Sequence, residues 1–205
     1  MQASGNILDF DGTLVRENSS NILIDILVER ATNRPERRAA WLLHGPIQRP
    51  LRMLFSLLGL ASGGRDLRLA WALWAFRRTL TADAQTVFTT VASRLTLNPV
   101  LADVYAQPFV VASLGLRPVI DAFAALHPEL PIGRIYASEY RRGKSRWLLR
   151  LSTPHAKVRL LTNLAPALYL TDYDQEALLL QRTATRPYHC EPLALDQTIW
   201  QVTAR

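Results

Sequence analysis

The sequence predicts an α/β protein: a three-layer, Rossmann-like core with a parallel sheet, and an all-helical segment inserted after the first strand. Three observations carry this expectation. Short apolar runs alternate with helical patterns from Gln107 onward. An earlier apolar run, Ile7–Phe10, ends in an acidic, glycine-containing turn. Between the two, residues 15–104 carry almost continuous helical spacing.

The elements follow in order. Ile7–Phe10 reads as a short strand stopped by the turn Asp11-Gly12-Thr13. Ile22, Leu23, Ile26 and Leu27 lie at helical spacing, and Pro35 with the run behind it looks like a helix start. Leu51, Leu54, Phe55 and Leu58 share one helical face; Ser62-Gly63-Gly64 is a break. An amphipathic helix with Trp71 and Trp74 follows, and Thr81-Ala-Asp-Ala84 resembles a further start. Then come a strand over Pro108–Ser113, a helix over Pro118–Leu126 and a short strand over Gly133–Ala137. A helix over Lys144–Leu151, a strand over Ala167–Thr171, a helix over Glu176–Gln181 and a last strand over Arg186–Cys190 complete the series.

Composition excludes several classes. With 49% apolar and 20% charged residues, the 205-residue chain has material for a sizeable core and is not disordered. The single cysteine, Cys190, rules out an intramolecular disulfide and reads as a small buried hydrophobe. Met1–Leu8 lacks the basic and apolar regions of a signal peptide, and no long uncharged apolar run predicts a membrane span. A cytoplasmic location is therefore expected. The net charge of +7 favours anionic partners. No zinc-ligand spacing, nucleic-acid-reading motif or internal repeat occurs, and the four histidines show no ligand spacing.

In a parallel α/β sheet, ligands bind beyond the carboxyl ends of the strands. Polar residues stand at four such strand ends or helix starts: Asp9 with Asp11, Ser113, Lys144 and Asp172. Their types suit hydrolysis of a phosphate monoester. A carboxylate can attack phosphorus, and a divalent cation relieves its repulsion from the substrate. A second acid serves the leaving oxygen and then water. A hydroxyl and an ammonium bind the phosphoryl group.

In this order the residues resemble the haloacid dehalogenase (HAD) phosphohydrolase superfamily. Asp9-Phe-Asp-Gly-Thr13 is similar to its first motif, Phe109–Ser113 to its second, Gly143-Lys144 to its third and Thr171-Asp172 with Glu176 to its fourth. The resemblance covers residues 5–14 and about 105–192. It implies a core formed by residues 1–14 and 105–205, with residues 15–104 as a helical C1-type cap of the phosphoserine phosphatase-like branch. It implies Asp9 as nucleophile, Asp11 as general acid/base, and Thr13, Ser113 and Lys144 in substrate binding. Mg²⁺ would be held by Asp9, Asp11 and Asp172, with Glu176 behind them holding the lysine or a metal-bound water. Asp174 is the rival second acid. Two departures stand out: Thr171 where Gly or Asp is usual, and Glu176 where Asp is usual.

The expected substrate is a phosphorylated small molecule or a lipid phosphate, with no nucleic-acid partner. The alternatives are a lipid-phosphate phosphatase or phosphotransferase at a membrane surface, and a catalytically weak HAD domain that acts as a binding module. Trp41, Phe55, Trp71, Trp74 and Phe76 read most simply as the core of the cap; the sharper reading is peripheral membrane contact by apolar helices bordered by arginine.

Overall fold

The computed structural model describes residues 5–45, 48–61, 66–142, 147–184, 187–193 and 196–204. Seven strands form one sheet in the order β4-β3-β2-β1-β5-β7-β6. The strands are β1 (Asn6–Leu8), β2 (Phe109–Leu116), β3 (Ile132–Arg142), β4 (Trp147–Arg150), β5 (Leu168–Thr171), β6 (Tyr188–Leu193) and β7 (Asp196–Ala204). Its centre is parallel: β1 pairs with β2 and β5, and β2 with β3. The edges are antiparallel, β4 on β3 and the β6–β7 pair on β5.

β1 has three residues and sits at the middle of the sheet. Its successive side chains point to opposite faces. Leu8 joins a buried cluster with Leu23, Ile26, Val91, Ile120 and Phe123, whereas Ile7 joins one with Leu161, Tyr169, Ala177 and Leu180. Three layers result. On one face lie α1 (Ser19–Glu29), α5 (Arg77–Ser93) and α6 (Arg117–Leu126); on the other lie α7 (Pro154–Leu164) and α8 (Asp174–Thr183). Cutting either Ile7 or Leu8 to alanine removes a fully buried side chain, at a cost of about 2–5 kcal/mol.

Between β1 and β2 run α1, α2 (Arg34–His44), α3 (Gln48–Ala61), α4 (Leu67–Ala75) and α5. Their starts are chemically marked. The side chains of Asn18, Asn33 and Asp66 accept from the backbone N–H groups of Asn21, Glu36 and Leu69, at 2.9–3.0 Å. α5 is broken at Asp83 (φ −152°, ψ 46°), where Thr81–Ala84 suggests a helix start. These helices are not sealed off from the sheet. Leu69, Leu73, Phe76, Leu80 and Val87 belong to the same buried cluster as Leu8 and Val111.

Three expectations need correction. Trp147–Arg150 is a strand, not part of a helix: it pairs antiparallel with Glu139–Arg142. A short apolar run fits either period, and here pairing with a long neighbour decides. β3 accordingly extends to Arg142, well past Ala137. The last strand expected, ending at Cys190, is followed by another: β7 returns antiparallel against β5, beside a centre that is parallel as expected. The expected break at Ser62–Gly64 lies outside the described residues.

Candidate active site

The site forms where β1 and β5 end, beside Ser113, which stands within β2 rather than at its end because that strand runs on to Leu116. Asp9 follows β1, and its backbone N–H donates to the Leu170 carbonyl at 2.8 Å, which fixes the turn against β5. The N–H groups of Leu14 and Val15 donate back to the carbonyls of Asp9 and Phe10. Gly12 closes this loop at φ +72°, and a Cβ there would lie 2.1 Å from Asp172 Oδ2. Both the conformation and the close approach require glycine. They also place the Asp172 carboxylate directly against the loop that carries Asp9 and Asp11.

Asp9 is 7% exposed. Its Oδ1 accepts from the Phe10 N–H at 2.7 Å. Its Oδ2 accepts from Lys157 Nζ at 2.6 Å and from the Thr171 hydroxyl at 3.3 Å. Lys157 Nζ also lies 2.8 Å from Glu176 Oε2, which in turn accepts from the Tyr169 hydroxyl at 2.9 Å. Asp9, Lys157, Glu176 and Tyr169 thus form a continuous buried chain. Burial works against the Lys157 ammonium, but the Asp9 and Glu176 carboxylates hold its pKa well above the usual value. Burial raises Glu176, Lys157 partly offsets this, and Asp9 adds to it.

Asp11 Oδ1 accepts from the Ser19 N–H at the start of α1, at 2.6 Å. Its Oδ2 reaches toward β2: a Cβ at Gly115 would lie 2.8 Å from it, 3.2 Å from Ser113 Oγ and 3.3 Å from Ser19 Oγ. Glycine at 115 therefore leaves the room in which these three groups meet. Burial pushes Asp11 up to about 6; the bonds from Ser19 oppose this, and the charges of Asp9 and Asp172 add to it. Asp172 is also pushed up to about 6, by burial of its inner side and then by Asp9. Ser113 is buried, and its Oγ accepts from the Gly115 N–H at 2.9 Å. A cavity of about 470 Å³ opens beside Ser113 and Lys157, walled by Arg117, Tyr136, Glu139 and Arg150.

Of the residues expected from sequence, Asp9, Asp11, Ser113, Asp172 and Glu176 come together. Thr13 is close in sequence but fully buried, and its hydroxyl has no hydrogen-bond partner among the described residues. Asp174 is exposed at the start of α8, where it accepts from the Gln175 N–H. Glu176 is the buried acid, so the two are not equivalent. Lys144 lies outside the described residues.

The residue that sequence reasoning missed is Lys157, the chain's other lysine. The sequence does hold a sign of it. Thr153-Pro154 is a helix start, and the Thr153 hydroxyl accepts from the Ala156 N–H. With that start, Lys157 falls on the face that buries Val158 and Leu161. A lysine on the buried face of a helix demands an acidic partner.

The donor set suits a hard cation. Among the described residues no group of three or more His, Cys, Asp or Glu side chains is placed to hold a metal ion. Mg²⁺ does not need such a group, since it keeps several waters and takes one or two carboxylates. Asp9, Asp172 and the backbone carbonyl of Asp11 are oxygen donors of that kind. The rise of Asp11 and Asp172 comes first from burial, and the charge of Asp9 adds to it in both.

No protein-family model and no curated protein matches the chain. Several solved structures are similar to it. A HAD family hydrolase from Salmonella enterica subsp. enterica serovar Typhi is 15% identical with a TM-score of 0.46, over 80% of this chain and 51% of its own. A phospho-aspartyl intermediate analogue of phosphoserine phosphatase is 11% identical with a TM-score of 0.41, over 80% and 72%. L-2-haloacid dehalogenase from Xanthobacter autotrophicus is 17% identical with a TM-score of 0.39, over 79% and 64%. The chain thus spans about half the length of the Salmonella hydrolase. At such identities and TM-scores the functional reading rests on the site itself.

Proposed function

We propose that the chain is a HAD-type, Mg²⁺-dependent phosphatase that hydrolyses a phosphate monoester through a phospho-aspartate. The observation that carries this is the Asp9 carboxylate, held at 2.6 Å by the buried ammonium of Lys157 with two further carboxylates around it. A buried carboxylate oriented by a cation suits nucleophilic attack on phosphorus, and the clustered charge suits a divalent ion.

The steps fall to named groups. An Asp9 oxygen bonds to phosphorus as the bond to the leaving oxygen breaks. Asp11, pushed up to about 6, holds a proton in part of the population near neutrality and gives it to that oxygen. A water then attacks the phospho-aspartate, Asp11 takes the water's proton, and cleavage frees phosphate and restores Asp9. Ser113 and Lys157 line the same cavity and receive the phosphoryl oxygens. Glu176 and Tyr169 act on Lys157, keeping the ammonium in place. Asp9, Asp172 and the Asp11 carbonyl would hold Mg²⁺, which would supply charge neutralisation when bound. Within residues 15–104, α1 and α5 form a layer on the sheet, which leaves α2, α3 and α4 for the role of cap. The substrate's remaining part, from a phosphorylated small molecule or a lipid phosphate, extends toward Arg117 and Arg150.

Turnover of p-nitrophenyl phosphate with Mg²⁺ tests the reading. Wild type hydrolyses it, and Asp9→Asn does not. Equal rates for the two would remove Asp9 as nucleophile.

A further inference from the structure

All of the net charge lies in one segment. Residues 34–78 contain nine arginines against two acids, which equals the +7 of the whole chain. The same segment holds most of the exposed large apolar side chains. On α3, Met53, Leu54, Leu57 and Leu58 are 64%, 50%, 59% and 48% exposed. They follow one another around the outer side of that helix, while Phe55 faces inward and packs on Trp71 of α4, ring centroids 6.0 Å apart. α3 also packs against α2. These two neighbours carry the exposed indoles, Trp41 on α2 and Trp74 on α4.

Several of the arginines lie beside the exposed indoles. Arg34, Arg37 and Arg38 line a shallow groove with Trp41 and Leu42. Arg77 stacks over the Trp74 ring at 5.0 Å. Arg34, Arg37, Arg38 and Arg49 are exposed, and none has an acidic partner among the described residues. A solvated arginine face needs no aliphatic side chains at its centre, and a protein-facing apolar patch needs no unpaired arginines around it. Both together fit a surface with acyl chains below and phosphates above. Indole rings favour that same boundary. No helix among the described residues is long and apolar enough to cross a bilayer, so the contact is peripheral.

We infer that the outer face of α2, α3 and α4 binds an anionic lipid surface, with Met53, Leu54, Leu57 and Leu58 entering the interface and the arginines meeting headgroup phosphates. This inference is independent of the phosphatase chemistry.

Co-sedimentation of the full chain with phosphatidylserine/phosphatidylcholine vesicles tests it, with pure phosphatidylcholine vesicles as comparison. Binding to the anionic vesicles is expected to be at least tenfold stronger and to weaken as salt is raised. Removing two charges in R37Q/R38Q lowers it by roughly fivefold per arginine. The exposed pair L54N/L57N abolishes it without changing p-nitrophenyl phosphate turnover or the unfolding midpoint. The inference fails if anionic and zwitterionic vesicles bind alike or neither binds. It also fails if light scattering shows a wild-type dimer that L54N/L57N makes monomeric, since a second copy then covers the face.

Discussion

Lys157→Met keeps the unbranched stem and removes the ammonium. Asp9 Oδ2 and Glu176 Oε2, 2.6 and 2.8 Å from Nζ, are then left facing one another's charge, with the Glu176 side chain 2% and that of Asp9 11% exposed. Removing one partner of a buried ion pair costs about 3–5 kcal/mol. The variant can escape part of this by protonating a carboxylate, so the cost depends on pH. Without the ammonium, which opposes the rise that burial gives Glu176, the folded pKa of Glu176 moves further above its unfolded value. The folded variant then holds a proton that the unfolded chain releases, and its stability falls as pH rises above about 4. The gap from wild type is therefore small near pH 4.5 and widest at pH 8. Urea unfolding, followed by tryptophan fluorescence at pH 5 and pH 7.5, reads both. Adding Glu176→Gln to Lys157→Met removes one of the opposed charges and should recover about 0.5–3 kcal/mol. Turnover should fall about 10²–10³-fold, as for loss of one phosphoryl-stabilising donor. The reasoning is refuted if Lys157→Met unfolds at the wild-type midpoint at pH 7.5, or if Lys144→Met rather than Lys157→Met abolishes turnover.

Asp11→Asn should lose about 10²–10⁴ in turnover yet be no less stable than wild type at pH 7.5. The folded pKa, about 6, lies above the reference 3.8, so this group favours folding at low pH and the benefit is lost as pH rises through 6; a drop in melting temperature at pH 7.5 would contradict this. Mg²⁺ should raise the melting temperature of chelator-treated protein more at pH 7.5 than at pH 5, where Asp11 and Asp172 are largely protonated. Asp172→Asn should shrink that shift, and an undiminished shift would place the ion elsewhere. Gly115→Ala puts a methyl 2.8 Å from Asp11 Oδ2 and 3.2 Å from Ser113 Oγ, so kcat should fall with little change in circular dichroism; unchanged kcat would show that the Asp11–Ser113 spacing has slack.

The parts of the fold legible in the sequence were those whose cause is local. Apolar alternation and turn chemistry placed the strands that begin near Phe109 and Leu168, and Pro35 marks the start of the helix behind it. Trp147-Leu-Leu149 was misread because its strand state comes from pairing with residues 139–142, which local pattern does not contain. The site divides in the same way. Asp9, Asp11 and Gly12 share one short motif. Lys157 comes from a helix start far along the chain, and its meeting with Asp9 is set by how α7 packs on the sheet. Trp41 and Trp74 were expected inside the helical segment's core, whereas Phe76 is buried and those two are exposed. Period alone does not say which side of a helix finds a neighbour.

The position of β1 also bears on the order in which the protein is made. Its three residues gain both flanking strands only when β2 and β5 are present, and Asp9 needs the Leu170 carbonyl, the Thr171 hydroxyl and Lys157 to be held. A nascent chain that has emerged only as far as residue 150 carries the acidic loop with β2 but without β5, Lys157 or the Leu170 and Thr171 anchors. The proposed nucleophile therefore remains unassembled until β5 has emerged, and a ribosome-bound intermediate of that length should be inert toward phosphate esters.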